Sequence, residues 1–239
     1  MAALPFDYQT VLYAKDTFLF GSEFYNLITL QDGWTTLVAD GGTSAAVTDA
    51  VGGRLSMITG ATDNNEVAVR SSFEIFLVAD NKPMRLETRI QYTEANTDDA
   101  NVMVGFMDAL AANSLVDDGA GVRTTGNYFV FFKVDGGTVW QVRSRNDTET
   151  ETNSTGITAG GASFQKLRIE IDNEGSGTNV EVKFFIDDIQ CVDATTLRPI
   201  VHTIAVASST EMNAGLYVKA GSANSETLVA DWFWAWQKR

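Results

Sequence analysis

Alternation of apolar and polar side chains recurs along the chain, whereas a sustained helical stripe does not occur. Residues 85–92 alternate in this way and predict a half-buried strand. Two β-rich runs, Asn127–Val134 and Thr138–Arg145, flank the turn sequence Asp135-Gly136-Gly137 and predict a hairpin. Further strands are expected between clusters of Gly, Asn, Asp and Ser, at Leu55–Thr59, Glu66–Val69, Val102–Met107, Thr203–Ala207, Gly215–Lys219 and Leu228–Gln237. The pattern predicts an all-β chain whose strands form two packed antiparallel sheets.

The remaining stretches divide into loops and an irregular N-terminal segment. Residues 1–30 contain aromatic side chains without clean alternation and are interpreted as an N-terminal arm or a peripheral strand. Residues 31–239 are interpreted as the sandwich domain. Short helical turns are considered near residues 11–28 and at Asp108–Ser114. Three polar segments are predicted as loops, the last of them as an exposed excursion from the sheet: Thr93–Asn101, Val116–Gly126 and Asn146–Ser163.

Residues 166–188 predict a second hairpin. Apolar residues at alternate positions share one face of the first strand and resume that face on the second strand. Keeping apolar side chains opposite one another sets Ile169 against Phe184. The same register sets Glu170 against Lys183, a cross-strand contact worth about 0.2–1 kcal/mol.

Within this hairpin the run EIDNE places Glu170, Asp172 and Glu174 at alternate positions. Alternate side chains on a strand share a face, so three acids could line one groove and divide catalytic roles. The spacing resembles the Glu-x-Asp-x-Glu signature of laminarinase-type glycoside hydrolases, which implies Glu170 as nucleophile, Asp172 as helper and Glu174 as acid. The run departs from that signature at Asn173, where the family has an apolar residue, and at the glycines that follow at once. Glu174 is therefore interpreted as a turn residue, the other two acids as a solvated hairpin face, and no catalytic residue is predicted.

Three tryptophans, Trp232, Trp234 and Trp236, stand at alternate positions of the last predicted strand. Their indoles share a face, which would suit a flat platform for sugar rings or a contact with another subunit. Phe233 and Ala235 make the opposite face apolar as well, which is typical of a strand covered on both sides. Burial in the core or in a subunit interface is therefore favoured over a ligand platform.

Charge and composition restrict the partners. The chain of 239 residues is 44% hydrophobic and 20% charged, a composition typical of a globular protein with a packed core. Lys and Arg number 17 against 31 Asp and Glu, and the formal charge of −14 disfavours nucleic-acid binding because no cationic patch offsets it. The N-terminus lacks the pattern of a signal peptide and no run of about 18 apolar residues occurs, so synthesis in the cytoplasm and no membrane span are expected.

Metal and cofactor sites are not expected. Cys191 and His202 are the only residues of their types, which excludes a disulfide framework and a zinc site built from Cys and His. His202 lies among aliphatic residues and is interpreted as a strand or turn residue rather than a catalytic base. Three acid pairs lack the alternate-ligand spacing of a calcium loop and are interpreted as solvated turns: Asp98-Asp99, Asp117-Asp118 and Asp187-Asp188.

Several longer segments resemble known families. The runs KLRIEID and VEVKFFIDDIQC, with the closing LVADWFWAWQKR, resemble strands of concanavalin A-like jelly rolls. Residues 46–72, together with NYFVFFKVDGGTVWQVRSRN, are similar to structural proteins of tailed bacteriophages. The resemblance implies a two-sheet antiparallel jelly-roll sandwich, concanavalin A-like in type, in a protein of the virion.

For function, the phage resemblance implies a non-enzymatic capsid decoration or cement protein on the outer face of the phage head. It implies the major capsid protein as partner, a homotrimer as assembly and no cofactor. The alternative is a carbohydrate-binding module that recognises a host glycan from a head or a tail fibre, with the three tryptophans as its platform. A laminarinase-like hydrolase is the least favoured reading.

Overall fold

The computed structural model describes residues 17–24, 33–39, 41–46, 52–79, 81–94, 96–172, 179–205 and 210–239. Within these ranges the chain forms β-strands and no α-helix. The described residues accordingly include no helix suited to crossing a bilayer. The strands assemble into two antiparallel sheets, here called sheet A and sheet B, that pack face to face.

Sheet A has nine strands. They are β1 (Thr17–Ser22), β3 (Thr43–Ala46), β4 (Leu55–Ile58), β7 (Met84–Thr93), β14 (Gln165–Asp172), β15 (Asn179–Ile186), β16 (Ile189–Gln190), β17 (Val201–Ala205) and β19 (Thr227–Lys238). Their order is β16-β15-β14-β7-β19-β4-β3, with β1 paired to β19 and β17 paired to β15. The strand of the three tryptophans, β19, therefore lies well inside the sheet.

Sheet B has eight strands. They are β2 (Trp34–Ala39), β5 (Glu66–Ser71), β6 (Phe76–Val78), β8 (Asn101–Met107), β11 (Asn127–Lys133), β12 (Val139–Asn146), β13 (Glu149–Thr158) and β18 (Thr210–Lys219). Their order is β13-β12-β11-β8-β18-β5-β2, with β6 paired to β18. A separate small hairpin joins β9 (Leu115–Val116) to β10 (Gly121–Val122).

The main core fills the space between the two sheets. Each strand contributes its alternate apolar residues, so that Phe131 of sheet B meets Phe184 of sheet A edge to face with ring centroids 5.3 Å apart. Trp140 is fully buried in the same core and donates its indole N–H to Gln165 Oε1 at 2.7 Å. This interior accounts for the alternating apolar positions along the strands.

A second apolar cluster lies on the outer face of sheet B. Met103, Val130 and Tyr217 point away from the main core and are covered by Leu115 and Val122 of the connection between β8 and β11. This connection contains the small hairpin of β9 and β10 and closes that face of the sandwich. The outer face of sheet A carries charged and aromatic side chains instead, and it is the face that bears on function.

The predicted hairpins are confirmed. Strands β11 and β12 pair antiparallel around the predicted glycine turn. Strands β14 and β15 pair in the predicted register, with Ile169 opposite Phe184 and Glu170 opposite Lys183. The all-β class and the two-sheet antiparallel sandwich are confirmed as well.

The prediction that Asn146–Ser163 is an exposed loop is wrong for most of that range. Residues Glu149–Thr158 form β13, the edge strand of sheet B, in register with β12. Both faces of this edge strand are largely polar, and Arg143 of β12 donates to Thr152 Oγ1 at 2.9 Å. The sequence pattern does not predict this strand, because its side chains alternate between Thr and Glu or Asn rather than between apolar and polar residues.

The N-terminal and helical-turn predictions have mixed outcomes. Within residues 1–30 only 17–24 are described, and Thr17–Ser22 form β1 against β19, so the division of the chain at residue 30 stays a prediction. Asp108–Ser114 contains turns and no helix.

Candidate functional site

The three tryptophans of β19 lie on the outer face of sheet A. Phe233 and Ala235 alternate with them and are fully buried in the main core. Trp232, Trp234 and Trp236 are each partly exposed, so the stripe is neither core nor fully open surface. On β7 their register partners are charged residues, and the stripe therefore borders a polar strip of the same face.

Strand β1 pairs with β19 on the side opposite β7 and lies close to the tryptophan stripe. Gly21 is opposite Trp234 in the β1–β19 register. A Cβ at Gly21 would lie 2.2 Å from the carbonyl oxygen of Phe233 and 2.6 Å from the indole of Trp234. Glycine at this position allows β1 to pair next to the large indole.

Two of the three acids of the EIDNE run lie on this face. Glu170 is partly exposed and faces Arg85 across the β7–β14 pairing, and Asp172 is exposed opposite Glu181 of β15. Glu174 and Asn173 lie outside the described residues. The structure thus brings Glu170 and Asp172 together on the outer face.

Glu170 belongs to a closed ring of ion pairs. Three cations and three carboxylates alternate around this ring, which spans β7, β14 and the turn between β15 and β16. Glu87 is its buried member, with a side chain 1% exposed. Asp188 is the member in the turn, and its pKa lies below the usual value because Lys166 donates a hydrogen bond to its carboxylate. The contacts run from Arg85 to Glu87, on to Lys166 at 3.8 Å, to Asp188, to Arg168 at 3.0 Å, to Glu170 at 3.1 Å and back to Arg85 at 3.5 Å.

A shallow groove of about 240 Å³ joins the tryptophan stripe to this ring. Trp236 and Arg85 line one side, and Glu170, Asp172 and Lys183 line the other. A planar aromatic surface beside carboxylates and cations suits a ligand with an apolar face and several hydroxyl groups.

The other end of the stripe carries a second charged cluster. Phe164 lies beneath two guanidinium groups, with Arg89 4.4 Å and Arg54 4.9 Å from its ring centroid. Asp231, at the bulge of β19, makes ion pairs with both arginines. The stripe is thus bounded at both ends by charges that are already paired within the protein.

Neither His202 nor Cys191 is placed for surface chemistry. His202 is 1% exposed, and its ring nitrogens lie 2.7 Å from Ser144 Oγ and 2.8 Å from Asn153 Oδ1. Burial lowers the pKa of His202 to about 4 and raises the pKa of the Cys191 thiol to about 12. His202 lies in β17, in agreement with its interpretation as a strand or turn residue.

The acid pairs lie in turns, as predicted. Asp98, Asp118, Asp187 and Asp188 all have positive φ, which Asp tolerates in tight turns. In the part of the chain that the structure describes, no three His, Cys, Asp or Glu side chains are grouped as metal ligands would be.

Comparison with known proteins identifies the fold. No protein-family model and no curated protein matches the sequence. The chain is similar to an endo-1,3-β-glucanase from Streptomyces sioyaensis, with a TM-score of 0.60 and 10% identity over 94% of this chain and 97% of that one. It is similar to the carbohydrate recognition domain of Emp46p in its potassium-bound form, with a TM-score of 0.55 and 11% identity over 89% and 94% of the two chains. Peanut lectin, in complex with a 9mer peptide, has a TM-score of 0.55 and 10% identity over 93% and 98%.

This likeness shows the fold alone: the chain is a concanavalin A-like jelly roll, as predicted. Proteins of this fold include lectin domains as well as a glucanase, so the fold accommodates both sugar binding and sugar hydrolysis.

The tryptophans and the acids are separate features of the sequence, and the ring of ion pairs between them was not predicted. Arg85, Glu87 and Arg168 were counted only as polar residues of alternating strands. The sequence contains one signal for the ring, which is the order Arg-x-Glu on both β7 and β14. Because the two strands are antiparallel, this order sets Arg85 against Glu170 and Glu87 against Arg168. Finding it required the long-range pairing of β7 with β14.

Proposed function

We propose that the protein is a non-catalytic carbohydrate-binding jelly roll and that its binding surface is the outer face of sheet A. Trp232, Trp234 and Trp236 form the platform. The observation that carries the proposal is the partial exposure of this tryptophan stripe beside the groove formed with Glu170, Asp172 and Lys183. The similarity to a lectin and to a carbohydrate recognition domain supports it.

The electrostatics favour a neutral sugar. Each charge of the ring already has two opposite charges beside it, and Asp231 is similarly paired with Arg54 and Arg89. A charged ligand would have to compete with these pairs, whereas hydroxyl groups can accept from the guanidinium edges and donate to carboxylate oxygens without displacing them. The apolar face of a pyranose ring would stack on the indoles.

The shape of the stripe favours a linear glycan. Side chains two residues apart on a strand are about 6.8 Å apart, so the platform extends about 14 Å along β19. A chain of several sugar units fits such a row better than a single terminal sugar does. The ligand class is therefore a neutral, extended oligosaccharide or polysaccharide.

Hydrolysis is not part of the proposal because of the position of Glu170. A retaining glycosidase needs two carboxyl groups about 5–5.5 Å apart, one of them free to attack the sugar. Glu170 Oε1 is held by Arg85 at 3.5 Å and by Arg168 at 3.1 Å. These contacts support a structural role for this carboxylate.

The proposal is tested by screening the purified protein on an array of immobilised neutral glycans. Binding is expected to linear glycans and to fall about tenfold or more in Trp236→Ala and Trp234→Ala. Phe73→Ala is the matched control, because Phe73 is a large aromatic residue, 76% exposed, in the connection between β5 and β6 of sheet B. Glycan binding that survives both tryptophan substitutions would contradict the proposed surface, and release of sugar fragments by the wild type would contradict the non-catalytic assignment.

The capsid assignment stays a prediction. It depends on the resemblance of residues 46–72 and 127–146 to tailed-phage structural proteins, with the major capsid protein as partner and the virion surface as location. A glycan-binding face is compatible with that location. Cosedimentation of the protein with empty phage heads tests the assignment, and no cosedimentation at saturating protein would contradict it.

A further inference from the structure

Lys219, at the end of β18, carries a buried amine that contacts a side-chain amide. The residue is fully buried, and its Nζ donates to Asn113 Oδ1 at 2.9 Å. Because a C=O bond is about 1.23 Å long, Asn113 Cγ lies no more than about 4.1 Å from this nitrogen. A nucleophile and a carbonyl carbon react from separations of about 3–3.5 Å, so a small movement brings these two atoms into that range.

Two further contacts fix the direction of the Lys219 side chain. Its Nζ donates to Leu115 O at 3.1 Å and forms an ion pair with Asp117. Asn113, Leu115 and Asp117 all belong to the connection between β8 and β11. The amine is therefore aimed out of sheet B and into this connection.

Glu66, the first residue of β5, holds the other reacting group in place. The backbone N–H of Asn113 donates to both carboxylate oxygens of Glu66, at 3.0 and 3.1 Å. Asn113 has a φ of 56°, a left-handed conformation that Asn adopts more readily than most residues. The same carboxylate lies 3.6 Å from Lys219 Nζ. One acid thus contacts both the amine and the residue that carries the amide.

The surroundings of Glu66 suit a proton-transfer group. Glu66 is 2% exposed and accepts a hydrogen bond from the hydroxyl of Tyr217, a member of the second apolar cluster. Burial, together with the nearby charge of Glu66, raises the pKa of Tyr217 above its usual value, so this hydroxyl keeps its proton and remains a donor. Glu66 is therefore an oriented carboxylate in a site from which water is largely excluded.

We propose that Lys219 and Asn113 form an intramolecular isopeptide bond with Glu66 as the acid–base catalyst. Glu66 takes a proton from the Lys219 ammonium group, and the freed lone pair of Nζ forms a bond to Asn113 Cγ. A second proton moves from Nζ to Asn113 Nδ2, and the Cγ–Nδ2 bond breaks with its electron pair. Ammonia leaves and takes up the proton held by Glu66. The net reaction converts an ammonium group and an amide into a new amide and an ammonium ion, without any oxidant or reductant.

The positions of the groups suit both the leaving group and the product. Asn113 is exposed, so ammonia released there can leave the protein. In the product the isopeptide N–H donates to Glu66 in place of the ammonium group, and the buried carboxylate keeps a donor. Asp117 is the less suitable acceptor, because its side chain is 50% exposed and a carboxylate carbon is a poorer electrophile than an amide carbon.

The bond would fasten the cover of the second apolar cluster to sheet B. It joins β18 to the connection between β8 and β11, and it closes a loop of about 100 residues. A cross-link of this length restricts the unfolded chain strongly. The connection would therefore stay attached to β18 when the strand pairing opens.

The test is the intact mass of the full chain, measured under denaturing conditions. The wild type is expected to be about 17 Da lighter than its sequence requires, because one ammonia is lost. Lys219→Arg and Asn113→Gly are each expected to have their full calculated mass, and glycine adopts the positive φ at position 113 without strain. Lys183→Met, at a partly exposed lysine, is the control and is expected to keep the deficit.

A tryptic digest locates the bond. In the wild type the peptide containing Asn113 is expected to be joined to the peptide containing Lys219, with no cleavage after Lys219 and normal cleavage after Lys133. A wild type of full calculated mass, or a deficit with normal cleavage after Lys219, would overturn the proposal. A loss of about 18 Da with Lys219 joined to Asp117 would overturn the choice of Asn113 as partner.

A substitution of Glu66 tests the catalyst. The folded fraction of Glu66→Gln, isolated by size-exclusion chromatography, is expected to keep the amine and the amide in place and to have its full calculated mass. Complete bond formation in this fraction would overturn the assignment of Glu66 as the acid–base group.

Discussion

Arg168 and Glu170 form an ion pair at 3.1 Å from alternate positions of one strand, and this contact decides how the row of acids is interpreted. The same carboxylate oxygen is 3.5 Å from Arg85 on the neighbouring strand. Glu170 therefore closes a ring of alternating charges on the outer face of sheet A. Its carboxylate is thus held by two guanidinium groups, next to the partly exposed tryptophan stripe of β19.

Substitutions of Glu87 and Glu170, the two carboxylates of the ring that lie on strands, are expected to have unequal effects on the free energy of unfolding. Glu87→Gln is expected to lower the free energy of unfolding by about 3 kcal/mol, because it leaves Arg85 and Lys166 without the buried member of the ring. Glu170→Gln, at a side chain 34% exposed, is expected to cost less than about 1 kcal/mol. Urea unfolding of both variants measures the difference, and equal costs would show that the ring is not organised around Glu87.

Because His202 is buried, the folded protein is expected to lose stability in acid. Its pKa is about 4 in the folded protein against 6.5 for an ordinary histidine, so the unfolded chain binds the proton more readily. The contribution is complete above about pH 6.5 and is lost as the pH falls toward 4, and its size is about 3 kcal/mol. The free energy of unfolding of the wild type should therefore fall more steeply between pH 6.5 and 4 than that of His202→Gln. Parallel curves would contradict the assignment.

Lys219 is a buried cation that holds the connection between β8 and β11 against sheet B. Its ammonium group is fully buried and contacts Asn113 Oδ1 at 2.9 Å, Leu115 O at 3.1 Å, Glu66 at 3.6 Å and Asp117. Lys219→Met would leave Glu66 buried without its cation. An expected cost of about 3–5 kcal/mol in the free energy of unfolding follows.

Lys183→Met is the matched control for Lys219→Met. The Lys183 side chain is 34% exposed and pairs with Glu181 at 3.4 Å, so its removal is expected to cost less than about 1 kcal/mol. Hydrogen exchange should also be faster at the amides of residues 110–122 in Lys219→Met and unchanged there in the control. Unchanged exchange in both variants would contradict the role of Lys219.

The pairing of β1 with β19 is expected to require glycine at position 21. Gly21→Val is expected to separate β1 from β19, because the new Cβ would lie 2.2 Å from Phe233 O. Hydrogen exchange at the amides of residues 17–22 should then become faster, while the amides of β7 stay protected. Leu19→Val, in the same strand and opposite Trp236, should leave the exchange of β1 unchanged. Unchanged protection in Gly21→Val would show that β1 tolerates a side chain at this point.

Local pairings could be predicted from the sequence. The hairpin of β14 and β15 has one register that keeps Ile169 opposite Phe184, and the structure adopts it. The edge strand β13 could not be found in this way, because neither of its faces is apolar along its length. Its strand structure comes from pairing with β12.

The candidate site was predicted only in parts. The tryptophans were placed on one face by their alternation, but their exposure depends on what covers sheet A. The contact between Arg85 and Glu170 joins residues far apart in the sequence, and no local pattern specifies which strands become neighbours. Asp188 was interpreted as a solvated turn acid, whereas it closes the ring with Lys166 and Arg168.

The central claim is that tryptophans on the outer face of sheet A bind a neutral glycan without cleaving it. Isothermal titration of the best glycan from the array into the wild type and into the double variant Trp234→Ala/Trp236→Ala tests it most directly. The account predicts a single saturable binding event for the wild type, no heat of continuing turnover, and loss of binding in a double variant that remains folded. Undiminished affinity in the folded double variant, or a steady heat of hydrolysis in the wild type, would contradict it.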